Sequence, residues 1–239
     1  MENKLLNKKI IWNGDSICSG SAVDGNWATR IAQNNSMTYE NYAHGGGTIA
    51  AGLPLTAKGT KRHSVCETLD LMYFDHPDAD YVILEGGTND ADLLGMALGG
   101  ADNPRFGTVD PNDFGGNYDE TTFCGALESI FYRATKYWLG KKIGFIVAQK
   151  MKADRLCVYE NRGFYLSTAA SICKKWGISC VDLWNGSYLN PFLPWMYDST
   201  KTSDQNKAEN TCLYLDGQHL TSRGYDITAE IIEGWLKSL

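Results

Sequence analysis

The sequence predicts an α/β protein, built as a three-layer α/β/α sandwich around a five-stranded parallel sheet. Its 239 residues, 43% of them hydrophobic, suit one large domain with a sizeable core. Five short runs rich in apolar and β-branched residues recur along the chain, and amphipathic stretches of helical character lie between them. Right-handed crossovers of a parallel sheet produce this alternation. We therefore expect a single domain over residues 1–239.

The five predicted strands are mostly continuous apolar runs rather than alternating ones. This pattern is typical of strands that are covered by helices on both faces of a parallel sheet. In chain order they are KKIIWNG at 8–14, MTYENYA at 37–43, DYVILEGG at 80–87, KIGFIVAQ at 142–149 and ISCVDLW at 178–184.

The predicted helices fill the intervals between the strands. They lie near residues 26–34, 63–75, 120–139 and 161–176, and a last one spans about 223–238. Two segments break the rhythm. Residues 99–120 are dense in Gly, Pro, Asn and Asp, which predicts a long surface loop, and residues 184–211 begin aromatic and end polar. Neither resembles a linker between domains, because both sides are needed to complete one sheet.

Composition excludes several classes of function. The formal net charge is −6 and the basic residues are scattered, which argues against nucleic acid or a membrane surface as partner. No apolar run reaches membrane-spanning length and the first residues lack signal-peptide character, so we expect a cytoplasmic protein. The seven cysteines form no CxxC pair, and we expect no metal, disulfide framework or cofactor. The oligomeric state is left open.

Polar residues follow the predicted strands at the edge where parallel sheets bind ligands. GDSI at 14–17 follows the first strand, HGGGT at 44–48 the second and GGTND at 86–90 the third, and DGQHL at 216–220 precedes the last helix. Each feature has a structural alternative, since a serine after a strand is usually a turn or a cap and an asparagine in a loop often bonds its own backbone. Single short motifs are therefore weak indications.

Together these residues could form one catalytic constellation. A serine hydroxyl needs a neutral imidazole to take its proton, and the imidazole needs a carboxylate to fix its tautomer. Asp216 and His219 are three residues apart, so one loop could supply both to Ser16. Donors for a developing oxyanion are available in the N–H of Ser16, an N–H of residues 45–47 and the amide of Asn89.

The four blocks GDSI, NYAHGGGT, GGTND and DGQHL resemble, in order, those of the SGNH (GDSL-type) hydrolases, and the match runs from about residue 10 to 224. The resemblance implies Ser16 as nucleophile, Gly46 and Asn89 as oxyanion donors beside the Ser16 N–H, and Asp216 with His219 as acid and base. Gly46 is chosen because Thr48 follows two residues on, although three adjacent glycines leave the register open by one. The implied fold is a flavodoxin-like sandwich, and the implied activity is ester hydrolysis through an acyl-enzyme without metal or cofactor.

The substrate is the least determined feature. The segment from Trp184 to Asp198 interleaves aromatic with polar side chains, which suits a sugar better than a fatty chain, so Trp184 and Trp195 are candidate substrate-binding residues. The structural alternative is that these rings pack the segment onto the body of the protein. A short-chain, acetyl esterase acting on a carbohydrate or similar small ester is favoured. A lysophospholipase or acyl-thioesterase, and a catalytically silent glycan-binding protein, remain alternatives.

Three acidic residues beside these motifs are expected to be structural. Asp15 and Asp90 are expected to hold their loops by accepting backbone N–H groups. Glu85 ends the third predicted strand, where a carboxylate must find a partner or lie near the cleft, and we expect it to be paired.

Overall fold

A computed structural model describes residues 3–20, 22–23, 25–53, 59–95, 103–152 and 159–239. A five-stranded sheet in the order β2-β1-β3-β4-β5 forms its centre, and every neighbouring pair of strands is parallel. The strands are β1 Lys9–Asn13, β2 Thr38–Asn41, β3 Tyr81–Glu85, β4 Lys142–Val147 and β5 Ser179–Asp182. All five lie within the runs that the sequence predicts, so the predicted fold class is confirmed.

Helices cover the sheet and connect its strands. The described helices are α1 Ser16–Ser19, α2 Trp27–Asn35, α3 Val65–Asp75, α4 Thr88–Gly95, α5 Phe123–Tyr137, α6 Tyr159–Trp176, α7 Leu183–Gly186, α8 Ser203–Glu209 and α9 Ser222–Ser238. The five predicted helices correspond to α2, α3, α5, α6 and α9. The sequence interpretation missed α1, α4, α7 and α8, of which α1, α7 and α8 are only four to seven residues long.

The two faces of the sheet carry separate hydrophobic cores because successive strand residues point to opposite faces. Ile10 and Trp12 of β1 pack with residues of α2 and α9. Ile11, between them, packs on the other face with residues of α3, α5 and α6. The β1 strand is fully buried along Ile10 to Asn13, which explains its apolar run from Ile10 to Trp12.

The chain reverses its direction of travel across the sheet at β1. It passes from β1 to β2 on one side and then crosses to β3 on the other. Parallel sheets bind ligands in the crevice outside the carboxyl ends of the strands at such a reversal. The residues that follow β1 and β3 are therefore the first place to look for a site.

Of the two segments that break the predicted strand–helix alternation, one is irregular where it is described and the other contains helices. The described part of the predicted loop, residues 103–120, contains turns and no helix or strand, as expected, and its first residues, 99–102, lie outside the described part of the chain. The segment 184–211 is not wholly irregular, because it contains α8 and the end of α7. No helix within the described ranges is long and apolar enough to cross a membrane.

Candidate active site

Ser16 is the first residue of the short helix α1, which begins directly beyond the carboxyl end of β1. Asp15 caps this helix: its Oδ1 accepts a 2.8 Å hydrogen bond from the N–H of Ile17. The hydroxyl of Tyr225 on α9 donates to the carbonyl of Ile17 at 2.7 Å. These contacts hold Ser16 at the edge of the sheet, in a turn that starts a helix.

Asp216 and His219 lie on one tight loop. The Oδ1 atom of Asp216 accepts from the N–H groups of Gln218 and His219 at 2.9 and 2.8 Å, and its Oδ2 accepts from His219 Nδ1 at 2.8 Å. Gly217 between them adopts φ +84°, a left-handed conformation that glycine tolerates best. The loop is closed by the N–H of Leu215, which donates to the carbonyl of His219 at 2.8 Å.

The fold brings this loop to Ser16. His219 Nε2 lies 3.0 Å from Ser16 Oγ, across 203 positions of sequence. Because His219 Nδ1 contacts a carboxylate, the neutral ring carries its proton on Nδ1, and Nε2 is free to accept the Ser16 hydroxyl proton. The chain serine–imidazole–carboxylate is able to raise the nucleophilicity of a serine hydroxyl.

The charges of Asp216 and His219 stabilise each other. Burial lowers the pKa of His219, but the hydrogen bond and charge of Asp216 outweigh it and raise the pKa above its ordinary value of 6.5. Burial raises the pKa of Asp216, but the hydrogen bonds and charge of His219 outweigh this effect and lower the pKa of Asp216 below its ordinary value. At neutral pH Asp216 is therefore ionised and available to orient the imidazole.

Asn89 and the glycine run meet beside Ser16. Asn89, in the first turn of α4, donates from Nδ2 to the carbonyl of Gly47 at 2.8 Å and to Asp15 Oδ2 at 3.3 Å. The N–H of Gly47 donates to the carbonyl of His44 at 2.9 Å. Gly46 adopts φ +75°, and its N–H donates to no acceptor among the described residues. The N–H of Gly45 likewise has no acceptor among the described residues, so the N–H groups of Gly45 and Gly46 are both available for a ligand and that of Gly47 is not.

The acidic residues expected to hold loops do so. Asp90 is fully buried and accepts from the N–H groups of Ile49 and Ala50 at 2.8 and 2.9 Å, and burial raises its pKa to about 7. Glu85 accepts from the N–H of Asp15 at 3.0 Å. The predictions that Asp15 and Asp90 hold their loops by accepting backbone N–H groups are confirmed, and Glu85, which was expected to be paired, has Asp15 as its partner.

The two predicted substrate-binding tryptophans lie in different environments. Trp184 is 9% exposed, belongs to the core with α5 and α6, and offers a ligand almost no surface, in line with the structural alternative. Trp195 is 67% exposed. Its segment reaches the Asp216–His219 loop through Lys152, whose N–H donates to the carbonyl of Gly217 at 2.8 Å and whose ammonium lies 5.1 Å from the ring centre of Tyr197.

One group beside the site escaped the sequence interpretation. Arg162 on α6 is fully buried and donates to both carboxylate oxygens of Asp92 on α4, at 2.9 and 2.8 Å. It also donates to the carbonyl of Lys152 at 2.6 Å and to Gln218 Oε1 at 3.1 Å. Arg162 thus ties the helix that carries Asn89 to the loop that carries His219. The sequence offers no signal for this, since 70 positions separate the ion pair.

Within the described ranges, no cluster of three or more His, Cys, Asp or Glu residues could hold a metal ion.

Comparisons with solved structures show which proteins share this fold. A protein from Lactobacillus plantarum is 18% identical, with 98% of each chain covered and a TM-score of 0.70. Est24, a carbohydrate acetylesterase from Sinorhizobium meliloti, is 11% identical, with 97% of this chain and 99% of that one covered and a TM-score of 0.62. A member of the lipolytic protein G-D-S-L family from Veillonella parvula is 15% identical, with coverages of 93% and 94% and a TM-score of 0.54.

No protein-family model and no curated protein matches the sequence. The likeness is therefore one of fold: the chain has the architecture of the G-D-S-L lipolytic proteins and esterases, over nearly its whole length.

Proposed function

We propose that this protein is a serine ester hydrolase that cleaves a short acyl group, most simply acetyl, from a carbohydrate or similar small ester. The observation that carries the proposal is the hydrogen-bonded chain from Ser16 Oγ through His219 to Asp216, at the carboxyl edge of the sheet. The shared fold with a carbohydrate acetylesterase and a lipolytic protein supports an ester as substrate.

Acylation follows from the geometry. His219 Nε2 takes the proton of Ser16 as Oγ attacks the ester carbonyl carbon, and Asp216 stabilises the imidazolium that forms. The negative charge that develops on the carbonyl oxygen is held by the N–H groups of Ser16 and Gly46 and by the Asn89 amide. Asn89 can turn one hydrogen to this oxygen by giving up its longer bond, the 3.3 Å contact with Asp15.

Collapse of the tetrahedral intermediate breaks the bond to the alcohol, which leaves with the proton from His219. A water molecule then gives a proton to the same nitrogen and attacks the acyl-enzyme, and the second collapse releases the carboxylic acid and frees Ser16.

The substrate class is tested with p-nitrophenyl esters from acetate to palmitate and with an acetylated oligosaccharide. We expect kcat/KM to be highest for acetate and to fall with chain length. A maximum at long chains would favour a lysophospholipase or acyl-thioesterase. A fluorophosphonate probe should label Ser16. A folded protein that is not labelled and hydrolyses none of these esters would overturn the esterase proposal and favour the catalytically silent glycan-binding alternative, which binding of the oligosaccharide would then test.

The pH dependence tests the base. Only neutral His219 accepts the proton, so kcat/KM should rise with pH through a midpoint above 6.5, because Asp216 raises the pKa of His219. Asp216→Asn removes the carboxylate, and the midpoint should move to lower pH while kcat falls by about 10⁴-fold. Initial rates on an aryl acetate between pH 5 and 9 measure both effects. A rate that is flat from pH 5 to 8 would rule out a histidine base of this kind.

Trp195 tests the carbohydrate part of the proposal. Its exposed ring can stack on a sugar, so Trp195→Ala should lower kcat/KM on an acetylated oligosaccharide by about 5- to 150-fold, if the lost contact is worth the about 1–3 kcal/mol of a base stacked on an aromatic ring. An aryl acetate has no remote part to bind, and its hydrolysis should hardly change.

Two further variants serve as controls for this prediction. Trp195→Phe keeps an aromatic face and should retain most of the oligosaccharide activity. Phe74→Ala removes another exposed ring, on α3, and should leave both substrates unaffected. Equal losses on both substrates in Trp195→Ala would remove Trp195 from the binding site.

A further inference from the structure

Two carboxyl groups that the proposed reaction does not use, those of Asp15 and Glu85, are hydrogen-bonded to each other next to Ser16. Asp15 directly precedes the serine, and Glu85 ends β3, the strand beside β1. Both side chains are fully buried. Space for the Glu85 carboxyl depends on Gly14, because a Cβ at that position would lie 2.6 Å from Glu85 Oε2.

The contacts of this pair reach both sides of the oxyanion pocket. Glu85 Oε2 accepts the N–H of Asp15, one residue before the N–H of Ser16. Asp15 Oδ1 accepts the N–H of Ile17, one residue after it, and Asp15 Oδ2 accepts from Asn89 Nδ2. The backbone on each side of Ser16 is thus held by two adjoining carboxyl groups.

The pair needs a proton. No donor within the described ranges reaches Glu85 Oε1, and neither carboxyl forms an ion pair there with a lysine or an arginine. Two carboxylates cannot both remain charged in contact in a dry site, so one must be protonated and can donate its hydrogen to the other.

We propose that Asp15 and Glu85 share one proton as a buried carboxyl pair, and that this pair positions the Ser16 N–H for the oxyanion. The proposal rests on the proposed function for its catalytic consequence only. Asp15 and Glu85 are positioning residues, since neither touches the reacting atoms.

The proton belongs to Glu85 at neutral pH. Burial, followed by the charge of Asp15, raises the pKa of Glu85 well above its ordinary range. Burial also raises the pKa of Asp15, but the Ile17 N–H and the charge of His219 oppose it and leave the value at about 6. Asp15 is then the ionised partner, and its charge in turn helps to raise the pKa of His219. The other titratable groups that face the pair are Cys18 on α1, Asp90 and Asp92 on α4 and Tyr225 on α9.

Two substitutions of Glu85 separate positioning from mere packing. Glu85→Gln imitates the protonated acid, because its amide donates to Asp15 and its carbonyl accepts the Asp15 N–H. Glu85→Leu has a similar volume and can do neither. We expect Glu85→Gln to keep kcat within about threefold, and Glu85→Leu to lower kcat by about 10²-fold at little-changed KM, the size of effect seen when one oxyanion donor is lost.

Glu128 supplies the matched control. It is another buried glutamate, on α5, bonded to Lys175 and Trp176 rather than to the site. Glu128→Gln should leave kcat unchanged. Equal kcat values for the folded Gln and Leu variants at position 85, whether high or low, would overturn the positioning role.

A second measurement does not require activity. A carboxyl whose pKa is raised by folding stabilises the protein fully below its unfolded pKa of about 4.3, and this stability is lost as pH rises towards the folded pKa. Glu85→Gln cannot titrate, so it does not lose stability in this way as pH rises. The Tm of Glu85→Gln minus the Tm of the wild type should therefore be larger at pH 8 than at pH 5. A difference that is the same at both pH values would overturn the shared proton. An absence of esterase activity in the wild type would overturn the proposed function instead, and this Tm measurement would still decide the pair.

Discussion

Replacing Ser16 with alanine is expected to lower kcat for an aryl acetate by about 10⁴- to 10⁶-fold, the range found when a member of a serine-based catalytic unit is removed. The hydroxyl is the only group at this position that can form the acyl-enzyme, and His219 Nε2 lies 3.0 Å from it. The change is measured by initial rates on the purified variant, together with loss of fluorophosphonate labelling.

Stability should be nearly unaffected by the same substitution. The Ser16 hydroxyl points to His219 at the edge of the sheet and fills no part of either core. The Tm is therefore expected to stay within a few degrees of the wild type. Ser167→Ala, which removes an exposed hydroxyl on α6, is the control for loss of a serine and should keep full activity. Wild-type turnover by Ser16→Ala would show that another residue is the nucleophile.

Replacing Arg162 with methionine is expected to cost about 3–5 kcal/mol of the free energy of unfolding, because the Asp92 carboxylate loses the partner of a buried ion pair. For a chain of this size the loss corresponds to a decrease in Tm of about 10 °C. Urea unfolding followed by tryptophan fluorescence measures the free energy directly. Because Arg162 also holds Gln218 beside His219, kcat should fall in the protein that remains folded.

A double variant separates the two roles of Arg162. Arg162→Met with Asp92→Leu removes both charges, and replacing a buried ion pair by apolar side chains is often neutral in stability. The double variant should therefore recover most of the free energy of unfolding but not kcat, since Gln218 still lacks its anchor. A loss below about 1 kcal/mol in Arg162→Met alone would show that Asp92 finds another partner or becomes solvated.

Much of the architecture was predictable because it depends on local pattern. Buried parallel strands are rich in uninterrupted apolar residues, and the run at Ile10 to Trp12 can be recognised without knowledge of its neighbours. The Asp216–His219 contact is equally local, since three residues with a glycine at φ +84° close it. By contrast α4 was missed: its first turn carries Thr88, Asn89 and Asp90, polar residues whose side chains bond groups far away in sequence.

The hydrogen bonding of the three glycines and the exposure of the two tryptophans could not be predicted from local sequence. Nothing in three adjacent glycines distinguishes their N–H groups, and Gly47 is set apart from the other two only because the His44 carbonyl accepts its N–H. Trp184 and Trp195 are alike in sequence context. One is buried because α5 and α6 pack over it, and the other is exposed because no described element does.

The sequence by itself determined the order along the chain of the five strands and the five longest described helices, the placing of Ser16 after a strand and the pairing of Asp216 with His219, because each depends on residues close together in the chain. Only the tertiary structure decided that His219 Nε2 lies at Ser16 Oγ, that Glu85 meets Asp15, and that Arg162 is buried on Asp92. These contacts join positions 70 to 203 residues apart. The packing of the helices on the sheet brings these partners together, and this packing cannot be predicted from local periodicity or spacing in the sequence.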